Sequence, residues 1–149
     1  VLHLEKVNQA NWLDVIRLSS GSDQKNRIFE DFIASNCLSL AQASLSENWT
    51  TKAIYDDKTL IGFTMYGYSE ELQAYELCRL MIDYHFQGKG YGKKALRQIV
   101  EKMQSQYGCS DIIICFMPDN TRAKNLYESF GFKDTGKTIE DELIYSLNV

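Results

Sequence analysis

FQGKGYGKKAL, residues 86–96, is the stretch on which the fold turns. Three glycines, four Lys or Gln side chains and Tyr91 fill positions 87–94, directly ahead of Ala95, Leu96, Ile99, Val100 and Met103 at helical spacing. The pattern predicts a helix over 92–106, entered straight from a glycine turn. The apolar run LQAYELCRLMID, residues 72–83, predicts a long strand leading into that turn. A helix N-terminus carries unpaired N–H groups and the positive end of the dipole. Glycines let the backbone approach a bulky anion and aim successive N–H groups at it. Gln87-Gly88-Lys89-Gly90-Tyr91-Gly92 therefore reads as a pyrophosphate cradle, with Lys89, Lys93 and Lys94 adding positive charge. The plain alternative is a flexible connector. No GKS or GKT follows, so the turn is not a P-loop, and its spacing misses GxGxxG.

Outward from the turn, the chain of 149 residues suits a single domain spanning 1–149. A net charge of -4 argues against non-specific nucleic-acid binding and mildly suits a cationic small substrate. The four cysteines show neither CxxC nor metal-ligand spacing, so no metal is expected. Cys78 and Cys115 sit in apolar runs and read as buried free thiols. No apolar run reaches the roughly 18 residues of a membrane span, and no signal peptide is visible, so a cytoplasmic location is expected.

VLHLEKV (1–7) alternates as a strand. NWLDVIRLSS (11–20) predicts a helix with Asn11 as N-cap and Trp12, Val15 and Ile16 on one face. Short helices are expected at 27–34 and 38–45. TKAIYDDKTLIGFTMYGY (51–68) reads as strand, turn at Asp56-Asp57-Lys58, strand. DIIICF (111–116) is a buried strand, 120–130 a helix closed by Gly131, and FKDTGK and ELIYSLNV a final pair of strands. The order implies an α/β fold, a mixed sheet with helices on both faces.

Gln87-x-x-Gly90-x-Gly92 resembles the Q/R-x-x-G-x-G/A acetyl-coenzyme A motif of the GNAT N-acetyltransferase family, and RLMIDYHF (79–86) is similar to the strand end that precedes it. MPDNTRAKNLYESFGFKDTG (117–136) resembles the later motif N-x-x-A-x-x-L-Y-x-x-x-G-F. AIYDDKTLIGFTMYGY (53–68) looks like the strands ahead of the motif in bacterial spermine/spermidine acetyltransferases. Tyr84 departs from the family's common Asp-Pro. The resemblance implies a mixed, mostly antiparallel central sheet of about seven strands. It implies acetyl-CoA as cosubstrate, no metal, and transfer of the acetyl group to a primary amine by direct attack in a ternary complex, so Cys78 should not be a nucleophile. Leu80, Met81 and Ile82 would hold the pantetheine arm and polarise the thioester carbonyl. Gln87, Gly88, Lys89, Gly90, Tyr91, Gly92 and Lys93 would hold the diphosphate. Asn120, Ala123, Lys124 and Tyr127 would flank the arm, Tyr127 placing a phenol at the thioester sulfur. Offsets of 0, 3 and 7 put Asn120, Ala123 and Tyr127 on one helix face. Without a ligand, the same residues read as a helix cap and a core tyrosine.

A lysine-like amine, with a pKa near ~10.4, is protonated at pH 7 by more than ~3 units, a cost of roughly 4.6 kcal/mol. A carboxylate or a carboxylate-held water could take that proton. Glu76, eleven residues before Gln87, stands where some family members carry a base; others carry a carboxylate two positions later, here Cys78. On a regular strand Glu76, Cys78 and Leu80 would share a face. The expected acceptor is a polyamine such as spermidine or spermine. Another small amine, a protein amine, or a non-catalytic coenzyme A-binding module are the alternatives, and a homodimer stays open. Glu70, Glu71 and Glu140-Asp141-Glu142 either line the acceptor side or serve solubility; His85 reads as a surface or phosphate-adjacent residue rather than a catalytic one.

Overall fold

The computed structural model describes residues 1–21 and 36–149; the helix expected at 27–34 lies outside them. The alternating N-terminal stretch forms β1 (Leu2–Lys6), followed by α1 (Trp12–Arg17) and α2 (Asn36–Ser44). Then come β2 (Trp49–Asp56), β3 (Thr59–Ser69) and β4 (Ala74–Ile82). α3 (Tyr91–Tyr107), β5 (Asp111–Phe116) and α4 (Thr121–Phe130) precede the final hairpin, β6 (Lys133–Ile139) and β7 (Glu142–Asn148).

The strands form one sheet in the order β1-β2-β3-β4-β5-β7-β6. Neighbours are antiparallel except β4 and β5, which are parallel. Turn chemistry fixes the last hairpin: Glu140 and Asp141 both take positive φ (46° and 67°), the sense of a two-residue turn that matches strand twist.

Helices cover both faces. The apolar stripe of α3 (Ala95, Leu96, Ile99, Val100, Met103) is buried against Ile54, Ile61, Leu77, Ile112 and Ile114. Each large aliphatic side chain buried there contributes about 1.5–3 kcal/mol of transfer free energy. On the other face Val15 of α1 and Leu40 and Ala43 of α2 pack on Ala53, Phe63, Met65 and Met81. Asn36 ties the two helices, its Nδ2 donating to Val15 O at 2.8 Å.

Three local expectations change. Asn11 stands at the N-cap position of α1 but makes no side-chain cap bond. Its Oδ1 accepts from Asn8 N (2.8 Å) and its Nδ2 donates to Lys6 O (3.2 Å), which binds the helix start to the end of β1. Trp12 is 46% exposed, because a helix of six residues turns only Val15 fully inward. The third change is in β4. Met65 pairs with Arg79 and Tyr66 with Leu77, so Cys78 is the extra residue of a β-bulge. The bulge breaks the alternation: Leu77, Leu80 and Ile82 pack with the α3 cluster, whereas Cys78 and Met81 pack with the α1 cluster. Glu76, Cys78 and Leu80 therefore do not share a face.

Candidate functional site

β4 and β5 are paired at one position, Glu76 with Ile113. Beyond it the pairing of these two strands does not continue, and a cleft of about 330 Å³, within the range of small-molecule sites, lies against β4, the start of α3 and α4. β4 contributes Leu80, Met81 and Ile82; the glycine turn and the start of α3 contribute Gln87, Gly88, Gly90, Tyr91, Gly92 and Lys93; α4 and its cap contribute Asn120, Ala123 and Tyr127. The structure thus brings the sequence-derived cofactor residues to one space, except Lys89 and Lys124. Lys89 sits with Lys94 and Arg97 along a neighbouring cavity, its Nζ 5.8 Å from the Phe86 ring. Ser20, Phe86, Arg122 and Leu126 also line the cleft and were not singled out from sequence. Phe86 and Leu126 stand inside the two motif segments without a role assigned to them there, and Ser20 had no signal.

A 3-10 turn at Tyr84–Phe86 separates β4 from the glycines, where the sequence led straight from strand to glycine turn. Buried Asp83 holds it. Its Oδ1 accepts from His85 N (3.1 Å) and meets His85 Nδ1 at 2.7 Å, and its Oδ2 accepts from Ser19 N (3.0 Å). The Tyr84 N–H donates to Ser19 O at 2.8 Å, a bond that a proline at this position could not make. Gln87 then clamps the turn. Its Nε2 donates to Ile82 O (2.9 Å) and Ser20 O (3.2 Å), and its Oε1 accepts from Arg122 Nη1. The side chain of Gln87 is thus spent on protein; what it offers a ligand is the backbone it positions.

Gly88 and Gly90 take φ of +77° and +82°, and a Cβ at either would meet nothing within 4 Å. Conformation, not crowding, calls for glycine there. Gly90 is the N-cap of α3 and no side chain caps that helix. α4 differs, since Asn120 Oδ1 accepts from Ala123 N at 3.1 Å. Asn120 therefore does cap its helix, and its Nδ2 remains as a donor at the cleft. An uncapped 17-residue helix pointing its first N–H groups into a cleft beside Lys93 is a fitting seat for a diphosphate.

Tyr127 is 7% exposed, and its ring packs 5.6 Å, centroid to centroid, from both Phe116 and Phe132. Burial alone pushes its phenol pKa up. Glu76 does not line the cleft; it is partly buried at the one position where β4 pairs with β5. Desolvation raises its carboxyl above the ordinary value, opposed by Arg79 and a hydrogen bond from Ser69 and aided by Glu142 and Glu71. All four cysteines are free, with Cys78 and Cys115 part-buried. Burial, opposed at Cys78 by Arg79 and aided at both by Glu76 and Glu142, pushes both thiols up to about 12, which keeps them protonated rather than nucleophilic. His85 is committed to Asp83.

The sequence model of the Acetyltransferase (GNAT) family matches residues 11–132, and the chain belongs to that family as an N-acetyltransferase. It is 32% identical over 112 residues to the spermine/spermidine N(1)-acetyltransferase of Bacillus subtilis (strain 168), covering 71% of this chain and 74% of that one. It is 33% identical over 112 residues, with the same coverage, to a Bacillus subtilis subsp. natto (strain BEST195) protein named "Probable spermine N(1)-acetyltransferase". The crystal structure of spermidine N-acetyltransferase from Vibrio cholerae in complex with CoA and spermine superposes with a TM-score of 0.78 at 18% identity, covering 99% of this chain and 95% of that one.

Proposed function

We propose that the chain transfers the acetyl group of acetyl-CoA to a primary amine of a polyamine such as spermidine or spermine, by direct attack in a ternary complex, in the cytoplasm. The observation that carries the reading is the cleft between β4 and α4, which ends on the uncapped N-terminus of α3. The polyamine choice is supported by the two Bacillus relatives and by acidic residues around Glu76.

The residues divide the work. The N–H groups at the start of α3, with Lys93, would hold the diphosphate, and the backbone of Leu80 to Ile82 would receive the pantetheine arm. Acetyl-CoA supplies an activated acetyl thioester. Tyr127 keeps its proton at working pH and can give it to a leaving thiolate. Glu76, directly or through a water, takes the proton of the acceptor ammonium; its raised pKa brings it closer to that of the amine than an ordinary carboxylate. A thiol-release screen over spermine, spermidine, simpler diamines and unrelated amines tests the reading. Release with another amine alone removes the polyamine assignment; coenzyme A binding without release from any amine makes the chain a binding module.

Two variants extend the test. Glu76→Gln is expected to lower kcat and to abolish the acidic limb of the kcat/KM profile, which in the native enzyme rises with pH through the raised Glu76 pKa. The same substitution should act on stability with a definite sign. A carboxyl whose folded pKa is raised favours the folded state fully below its unfolded pKa and loses that contribution as pH rises through the folded value. Glu76→Gln should therefore gain in Tm relative to native at neutral pH and show no gain in acid. A native-like profile and Tm in this variant would remove Glu76 from the mechanism. Glu70→Gln combined with Glu71→Gln should raise KM for the polyamine more than it lowers kcat, and added salt should raise KM in the native enzyme. An unchanged KM assigns these carboxylates to solubility.

A further inference from the structure

We propose that Tyr145 is a positioning residue for Tyr127: its bond to Glu128 fixes the last turns of α4 on the sheet and so holds the Tyr127 phenol at the cleft. The proposal rests on the general-acid role given to Tyr127 above. Tyr145 is central in β7, paired with Ile114 of β5 on one side and Asp134 of β6 on the other. It is 2% exposed, yet its hydroxyl reaches out of the core and donates to Glu128 Oε1 at 2.9 Å. Glu128 is exposed and directly follows Tyr127 in α4. A second connection runs through the rings. Tyr145 meets Phe116 edge-on at 4.8 Å between centroids, and Phe116 lies 5.6 Å from Tyr127.

Packing alone does not ask for a tyrosine here. A phenylalanine at 145 would bury the same ring and keep the contact with Phe116. The hydroxyl adds a bond to a carboxylate, stronger than a neutral one, and a phenol stays a donor throughout the working pH range. The two ends of the bond differ in rigidity. Tyr145 is held by two neighbouring strands, whereas Glu128 rides on a helix of ten residues. The backbone of Tyr127 is fixed within the helix end, where Gly131 N and Phe132 N donate to its carbonyl at 3.2 and 3.0 Å. That cap shapes the helix end; the bond from Tyr145 sets where the end sits against β7. A displacement of about 1 Å at a reacting group can cost roughly 10²-fold in rate. A tie one residue from Tyr127 therefore bears on turnover rather than on ligand affinity.

The test is a double-mutant cycle on acetyl transfer to the amine selected by the thiol-release screen. Tyr145→Phe is expected to lower kcat by about tenfold, with KM for acetyl-CoA and Tm little changed. Glu128→Ala should act alike, and Glu128→Gln, which keeps an acceptor oxygen, should retain native turnover. In a Tyr127→Phe background, Tyr145→Phe should cost nothing further, since the proton it positions is gone. Native kcat in Tyr145→Phe overturns the proposal. So do equal losses in the native and Tyr127→Phe backgrounds, which a merely structural tyrosine would give. A loss in Glu128→Gln as large as in Glu128→Ala overturns the hydrogen bond as the tie. Native kcat in Tyr127→Phe overturns the general-acid reading and the role of Tyr145 with it, whereas a loss there beside a native Tyr145→Phe overturns the role of Tyr145 alone.

Discussion

Tyr127→Phe is expected to lower kcat by about 10²-fold or more while coenzyme A affinity stays close to native. General acid catalysis by a positioned side chain supplies roughly 10²–10⁴-fold, and this substitution removes the proton alone. The ring stays between Phe116 and Phe132, so the aromatic packing that fixes the start of β6 against α4 is kept. Because burial holds the phenol protonated, the loss should be flat across the working pH range, with no new limb in the profile. Steady-state kinetics with the amine selected by the thiol-release screen, beside calorimetry with coenzyme A, separates the two effects. Native turnover would leave Tyr127 as a core residue that happens to border the cleft.

Gly92→Glu should eliminate coenzyme A binding measurable by calorimetry while the circular dichroism spectrum and Tm stay near native. Gly92 lies in the first turn of α3, outside the positive-φ region, and a Cβ there would come no closer than 3.5 Å to Leu126 Cδ2, an ordinary contact. A carboxylate in a first turn is favourable to the helix. The same carboxylate would occupy the anion seat and repel a diphosphate from it. Gly90→Glu should remove binding as well, at an added cost of about 1–2 kcal/mol in stability, because a side chain at φ +82° is strained. Gly92→Ala separates bulk from charge and should retain most of the affinity. A folded Gly92→Glu that binds coenzyme A natively would show that the diphosphate does not lie at the start of α3.

The elements were legible because their periods are unmixed. The stripe from Ala95 to Met103, the apolar run of 111–116 and the turn residues near Asp57 and Glu140 each permit one structure. The cleft was legible because glycine spacing and the face of α4 speak in a chemistry that few other uses require. The bulge at Cys78 was not, since no Gly or Pro marks it; it arises from how β3 and β4 pair across the sheet. The lock of Asp83 on Ser19 and of Gln87 on Ser20 was hidden for a similar reason: the partners are more than sixty residues apart, and a serine after a short helix carries no signal of its own. Arg122 occupies an unspecified position of its motif, and only the fold reveals that it reaches Gln87.

A sheet that parts in its middle has four borders instead of two. β1 and β6 are the outer ones, open to solvent as in any open sheet. The other two are the borders of β4 and β5 past Glu76 and Ile113, where pairing between the two strands does not continue. Outer borders invite any passing strand and must be defended. In the proposed function, the pantetheine arm carries its own amides and would lie along the inner border of β4 as an added strand would.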